Sequence, residues 1–283
     1  MPTLPTYIAN AFSAGPFTGN PAAVVPYRGS AVPLSAKHMQ ALAEQNNLAE
    51  TAFVNLDGLR GGGYPLRWFT PAQEVRLCGH ATLASAEVLR AYAKTLGIAP
   101  RETYRFDTRS GRLSCEREAT GWTMDFPADP PADAPTLARV LAQAPAQGAG
   151  DGRAGERPVF RGRDDALLVL ETAAAVRDYV PHGPTIRALG TRGLIVTGPG
   201  DDEPEFDVVS RCFYPEFGID EDPATGSAHT LIGAYWCARL GKPELRCLQA
   251  SRRRGVLGVR HDGGKRLELS GAVELYLRGE ITY

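Results

Sequence analysis

Two stretches of the chain lose their polar face altogether. From Gly79 to about Tyr92, residues Ala81, Leu83, Ala84, Ala86, Val88, Leu89 and Ala91 leave almost no hydrophilic side. A helix with that pattern is buried nearly all round. It opens at Gly79-His80, so its free N–H groups and the positive end of its dipole lie inside the protein, where they suit an anion. The titratable His80 sits on that opening. The pattern returns from Gly226 to about Leu240, with Asp222 and Ser227 at the mouth of the helix. Two buried helices with polar starts imply two similar halves facing one site.

Elsewhere the spacing is mostly that of strands. Strands are predicted over Thr6–Phe12, Ala22–Val25, Thr51–Leu56, Leu66–Phe69, Thr103–Asp107, Gly111–Glu118 and Trp122–Phe126. In the second half they are expected over Ala166–Leu170, Leu194–Thr197, Asp207–Phe213, Arg246–Ser251, Gly255–Arg260, Leu267–Ser270 and Ala272–Tyr283. Ser35 caps a helix that turns Met39, Leu42 and Ala43 inward and ends near Asn46-Asn47. A second short helix is predicted from Thr172 to about Asp178. The stretch Pro127–Pro158, dense in Pro, Ala, Gly and Asp, reads as an exposed connection with a short helix around Thr136–Ala142. Many strands and few helices predict an α+β protein, each half wrapping a sheet around its own helix.

Composition narrows the function classes. At 283 residues the chain can hold two ordinary domains with substantial cores. A net charge of −1 provides no field for nucleic acid or an acidic membrane, and Arg252-Arg-Arg254 reads as a solvated turn. Five cysteines without C-x-x-C spacing indicate neither a disulfide framework nor a zinc site. With no signal-like start and no bilayer-length apolar run, a reducing cytoplasm is the expected compartment.

Several segments, read in order, carry a resemblance. They are Ala11-Phe12 with Gly19-Asn-Pro-Ala-Ala-Val-Val25, Asn47-Leu-Ala-Glu-Thr-Ala-Phe53, Trp68-Phe-Thr-Pro71 and Glu74-Val-Arg-Leu-Cys-Gly-His-Ala-Thr-Leu83. Gly218-Ile-Asp-Glu-Asp-Pro-Ala-Thr-Gly-Ser-Ala-His229 and Gln249-Ala-Ser-Arg-Arg-Arg-Gly255 follow in the second half. The chain resembles the phenazine-biosynthesis isomerase-like (PhzF-like) family, within the diaminopimelate-epimerase fold. That resemblance implies two pseudo-symmetric lobes, each a barrel-like, mostly antiparallel sheet around a central helix. The lobes are expected at 1–117 plus 272–283 and at 118–271, with the active site in the cleft between them. A homodimer is the expected assembly.

The resemblance also implies roles. Glu50 matches the family's proton shuttle, and a desolvated carboxylate can take a proton from carbon and return it elsewhere. His80 would orient or polarise the substrate, and Asp222 and Ser227 match the polar pair of the second lobe. Substrate contacts are expected from Asn20, Gly79, Ala81, Gly226, Ala228 and His229. The glycines let backbone N–H groups approach a carboxylate, and Gly226 is a candidate for a positive-φ turn. The expected reaction is a metal-free and cofactor-free isomerisation of a small carboxylate-bearing metabolite. Amino-acid racemases of this fold use one cysteine from each half. Cys78 stands at the first position, but Pro223-Ala-Thr-Gly226 offers no thiol at the second, so Cys78 reads as a small buried hydrophobe. Racemase or epimerase activity is the alternative enzyme, and a catalytically silent binding protein is the other class. Glu44 and Glu74 are rival shuttles, on a helix and at a strand start.

Overall fold

The computed structural model describes residues 2–31, 34–59, 61–143 and 157–283. In chain order the first elements are β1 Thr3–Ala11, β2 Asn20–Tyr27, α1 Ala36–Asn46, β3 Glu50–Asn55, β4 Gly63–Phe69 and β5 Glu74–Val75. They are followed by α2 Gly79–Ala91, α3 Ala93–Leu96, β6 Thr103–Thr108, β7 Gly111–Glu118 and β8 Gly121–Pro127. Next come β9 Ala132–Asp133, α4 Pro135–Leu141, β10 Val159–Arg161, β11 Ala166–Val169, α5 Ala173–Asp178, α6 Gly183–Ala188 and β12 Leu194–Pro199. The last are β13 Val208–Tyr214, β14 Ile219–Asp222, α7 Gly226–Leu240, β15 Glu244–Gln249, β16 Gly255–Arg260, β17 Arg266–Gly271 and β18 Val273–Thr282. The fold is α+β and diaminopimelate-epimerase-like.

Two compact units divide the chain, Met1–Asp125 with Ser270–Tyr283, and Phe126–Leu269. The first division falls within β8, a few residues beyond the expected 117, because β8 pairs antiparallel with β7 at Cys115↔Met124.

In the first unit the pairings run β18–β1–β2–β3–β4–β6–β7–β8. The β2–β3 and β4–β6 steps are parallel and the others in this path antiparallel. The sheet curls around α2, which packs on β1, β2, β3, β7 and β18. Residues His80 to Ala86, Val88 and Leu89 of α2 are buried, as its nearly all-apolar pattern requires. Its Glu87 is satisfied by the Trp122 indole, Nε1 donating to Oε2 at 2.7 Å. On the sheet's other side, Met39 and Ala43 of α1 join Leu4, Val25, Phe53 and Phe69 in a separate small core. Ser35 caps α1 by accepting from the His38 N–H at 3.2 Å, and Asn47 ends it in the left-handed conformation.

The second unit repeats the plan. Its pairings run β9–β10–β11–β12–β13–β15–β16, with β14 on β13, and the β11–β12 and β13–β15 steps are parallel. The buried helix is α7. Its Trp236 indole donates to Thr197 Oγ1 on β12 at 3.0 Å. Gly233 lets the helix lie close against the sheet, since a Cβ there would stand 2.5 Å from Val259 Cγ1. On the opposite face Leu137 and Leu141 of α4, Val176 of α5 and Ile186 of α6 pack over Leu194, Phe213 and Leu248.

Part of Pro127–Pro158 therefore differs from the exposed connection expected of it. Phe160 pairs with Asp133, and α4 buries Leu137 and Leu141, so its ends are built into the second unit. Residues 144–156 lie outside the described residues. All five cysteines are buried and unpaired. Among the described residues, no helix is long and apolar enough to cross a membrane.

Candidate active site

Glu50 opens β3, Cys78 is the N-cap of α2, and His80 lies in that helix's first turn. These elements bring three candidate side chains together. His80 Nε2 stands 3.0 Å from Glu50 Oε2, and Cys78 Sγ stands 3.5 Å from His80 Nδ1. The His80 side chain is 9% exposed and that of Glu50 17%. The contact between them has ion-pair distance without hydrogen-bond alignment, so Glu50 Oε2 is buried with no hydrogen-bond partner. A buried carboxylate oxygen in that state is costly and needs an explanation.

Burial works against a charged imidazole at His80, but Cys78 and then Glu50 outweigh it and raise the His80 pKa well above its ordinary value. Burial pushes the Cys78 thiol up, and Glu50 pushes it further, against a smaller pull from His80. Glu50 is the neighbour that pushes both groups toward their protonated forms. Asn20, at the start of β2, is fully buried, while Gly79 and Ala81 belong to the first turn of α2. Neither rival carboxylate shares this setting. Glu74 receives both Arg67 donors at 2.8 Å and an Arg109 contact at 2.8 Å, and the Arg67 hydrogen bond holds its pKa low. Glu44 is exposed on α1.

The second unit has a corresponding helix start. Thr225 is the N-cap of α7, where Cys78 is the N-cap of α2, and Gly226-Ser227 follows as Gly79-His80 does. Thr225 Oγ1 donates to Asp222 Oδ2 in a short hydrogen bond. Gln249, fully buried at the end of β15, fixes the approach to the helix. Its Oε1 accepts from the Thr225 N–H at 2.7 Å, and its Nε2 donates to the Asp222 carbonyl at 2.7 Å. Ser227 Oγ accepts from Arg192 Nη2 at 3.0 Å. Arg192 is held by both oxygens of Asp165 and lies over the Tyr214 ring at 5.2 Å. Asp165 is buried, and burial pushes its pKa up more than Arg192 pulls it down. A Ser227 hydroxyl that already accepts from a guanidinium has its own O–H left to donate, which favours an anionic or carbonyl oxygen.

Gly226 carries helical backbone in α7 and is absent from the positive-φ residues, which corrects the expectation of a left-handed turn. His229 is wholly buried. Its Nδ1 donates to the Thr225 carbonyl at 2.8 Å, Nε2 has no partner, and burial lowers its pKa to about 4. It is a neutral histidine within the helix, with Ala228 buried beside it. Sequence reasoning assigned no role to Arg192 or Gln249. Gln249 stood in a quoted motif, whereas Arg192 had no local signal, because its contact with Ser227 spans 35 positions.

The fold is that of the epimerase-like class. A hydroxyproline epimerase from Agrobacterium vitis, 12% identical, shares the fold with a TM-score of 0.56 over 99% of this chain and 92% of that one. Much closer is a phenazine biosynthesis protein of the PhzF family from Enterococcus faecalis, 35% identical, with a TM-score of 0.85 over 100% of both chains. An uncharacterized isomerase of Pseudomonas aeruginosa is 41% identical over 280 residues, covering 98% of each chain. The family model PhzC-PhzF, phenazine biosynthesis-like protein, matches residues 9–279. The chain belongs to that phenazine biosynthesis-like family.

Proposed function

We propose that this chain is an isomerase that moves a proton between carbons of a small carboxylate substrate, with Glu50 as the acid–base group and no cofactor. The observation that carries the reading is Glu50 Oε2, buried, without a hydrogen bond, and 3.0 Å from His80. Such an oxygen has lone pairs available for a C–H proton next to a carbonyl or conjugated system. The electrons of the broken C–H bond move into that system, and a protonated His80 stabilises the negative charge that develops. Glu50 then returns the proton to a different carbon. The substrate carboxylate is assigned to the N–H groups of Gly226, Ser227 and Ala228 with the Ser227 hydroxyl, at the positive end of α7. Family membership and a relative named as an isomerase support the reaction class.

Glu50→Gln tests it. Turnover should fall by about a hundred- to ten-thousand-fold, the contribution of one proton-transfer group, with melting temperature and ligand affinity nearly intact. Undiminished turnover would remove Glu50 from the mechanism. Amino-acid racemisation is the second reading, favoured by the thiol of Cys78 beside His80. Its weakness is the second helix start, where Thr225 occupies the corresponding N-cap. Alpha-proton exchange from free amino acids into D2O that depends on Cys78 would establish it in place of the first.

A further inference from the structure

The Glu50–Cys78–His80 cluster is also a donor set. A carboxylate oxygen, a thiol sulfur and an imidazole nitrogen all lie within 4.8 Å of one another. Sγ is 3.5 Å from Nδ1 and 3.9 Å from Nε2, and Nε2 is 3.0 Å from Oε2. A tetrahedral ion with bonds of about 2.0–2.3 Å sets its ligand atoms about 3.3–3.8 Å apart. The two spacings to Nε2 reach that range with movements of a few tenths of an ångström, and the sulfur–carboxylate pair, within 4.8 Å, closes by about an ångström.

Burial adds an independent reason. Cys78 and His80 are both buried, so their positions are fixed by α2 and its packing. Glu50 Oε2 is buried with no aligned hydrogen bond, its near neighbour being His80 Nε2 at 3.0 Å, so it has a lone pair to offer an ion that displaces the His80 proton.

We propose that this cluster binds one Zn²⁺ ion through Glu50, Cys78 and His80, leaving a fourth position for water or a carboxylate. Thiolate and imidazole select zinc over the hard cations Mg²⁺ and Ca²⁺. On binding, the Cys78 S–H bond breaks and its proton, with the proton displaced from His80, goes to solvent. Bonds from zinc to S, N and O form, and nothing is oxidised or reduced. The ion acts as a blocking ligand, because it occupies the lone pairs that proton transfer needs. That consequence, unlike binding, rests on the isomerase reading.

The test is calorimetric titration of the chelator-stripped full chain with zinc chloride and, separately, magnesium chloride. Cobalt(II) absorption is recorded in parallel. The expected result is one zinc per chain, no magnesium binding, and a sulfur-to-cobalt charge-transfer band. Cys78→Ser and Glu50→Gln should each weaken zinc binding at least about tenfold, more than loss of an outer-sphere partner does at its mildest. Cys78→Ser should also abolish the band. Cys237→Ser, on α7, should change neither. No zinc uptake at micromolar concentration, affinity unchanged in both ligand variants, or magnesium binding as tightly as zinc would each overturn the proposal. Should Cys78→Ser fail to fold, the wild-type cobalt spectrum and Glu50→Gln decide the matter. No arm reads turnover, so failure here leaves the isomerase reading standing, and failure of that reading leaves zinc binding standing.

Discussion

His80 and His229, both buried, are shifted in opposite directions, and His229 makes that measurable. Its pKa drops from the ordinary 6.5 to about 4 because burial disfavours the imidazolium, against a smaller opposing effect of the Thr225 carbonyl. A base with a depressed folded-state pKa binds its proton more readily when unfolded. Its contribution is therefore fully present above pH 6.5 and is lost as pH falls toward 4. At about 1.4 kcal/mol for each pH unit, the whole interval corresponds to roughly 3 kcal/mol. His80, raised well above 6.5, has the reverse sign: its contribution is present below 6.5 and lost as pH rises through the folded value. The two windows meet near 6.5 without overlapping. The perturbation is His229→Gln, which removes the titration and keeps a neutral polar side chain. Urea midpoints for wild type and variant, taken between pH 4.5 and 7.5, give the difference in stability. The wild type's advantage should be constant above pH 6.5 and shrink by about 1.4 kcal/mol per unit below it. A difference independent of pH between 4.5 and 6.5 would refute the assignment of His229 as a buried neutral group.

Cys78→Ser should keep most isomerase activity, measured as turnover of an identified substrate, because Thr225 leaves the thiol without a counterpart; loss of proton exchange in this mutant would restore a thiol mechanism. Gly226→Val should raise KM or abolish binding by obstructing approach to the first turn of α7. Carboxylate ligands should raise the melting temperature of the wild type while their esters do not, and equal stabilisation by acid and ester would discard the anion site. Arg192→Lys keeps a cation but loses the planar fork between Asp165 and Ser227, so KM should rise several-fold more than kcat falls. An unchanged KM would show that Arg192 does not position Ser227.

Much of this was legible along the chain, for local reasons. Serine at 35, the all-apolar faces of α2 and α7, and glycine-bounded alternation from Gly111 to Glu118 set those elements with boundaries close to the observed ones. The strands β9 and β10 were not legible. They exist through the pairing of Phe160 with Asp133, across a stretch whose Pro and Gly content suits a loop. Helix α6 is six residues long, with a proline in its first turn and His182 as its cap, too short to show a period. At the site, Glu50 and His80 were marked by resemblance, and Asp222 and Ser227 stood at a visible helix start. Arg192 was invisible because its partners, Asp165 and Ser227, are brought to it by the sheet and by α7. The Glu50–Cys78–His80 donor set escaped cysteine counting for a similar reason, since β3 and α2 are joined only by folding.

The pairing of β1 with β18 has a consequence during synthesis. Thr3 stands opposite Thr282, and the Tyr283 N–H donates to the Pro2 carbonyl at 3.3 Å. One neighbour of β1, the strand β2, leaves the ribosome almost at once; the other, β18, begins only at Val273. At about 5–20 residues per second, β1 waits roughly ten to fifty seconds with one edge bare. The contiguous unit Phe126–Leu269 is complete before then and can fold first, although it comes second in the chain. A chain stalled or cut before Val273 would keep that edge exposed, open to pairing with another molecule. In a permuted variant of residues 2–283, a short linker from Tyr283 to Pro2 would place β18 immediately before β1 and end the wait.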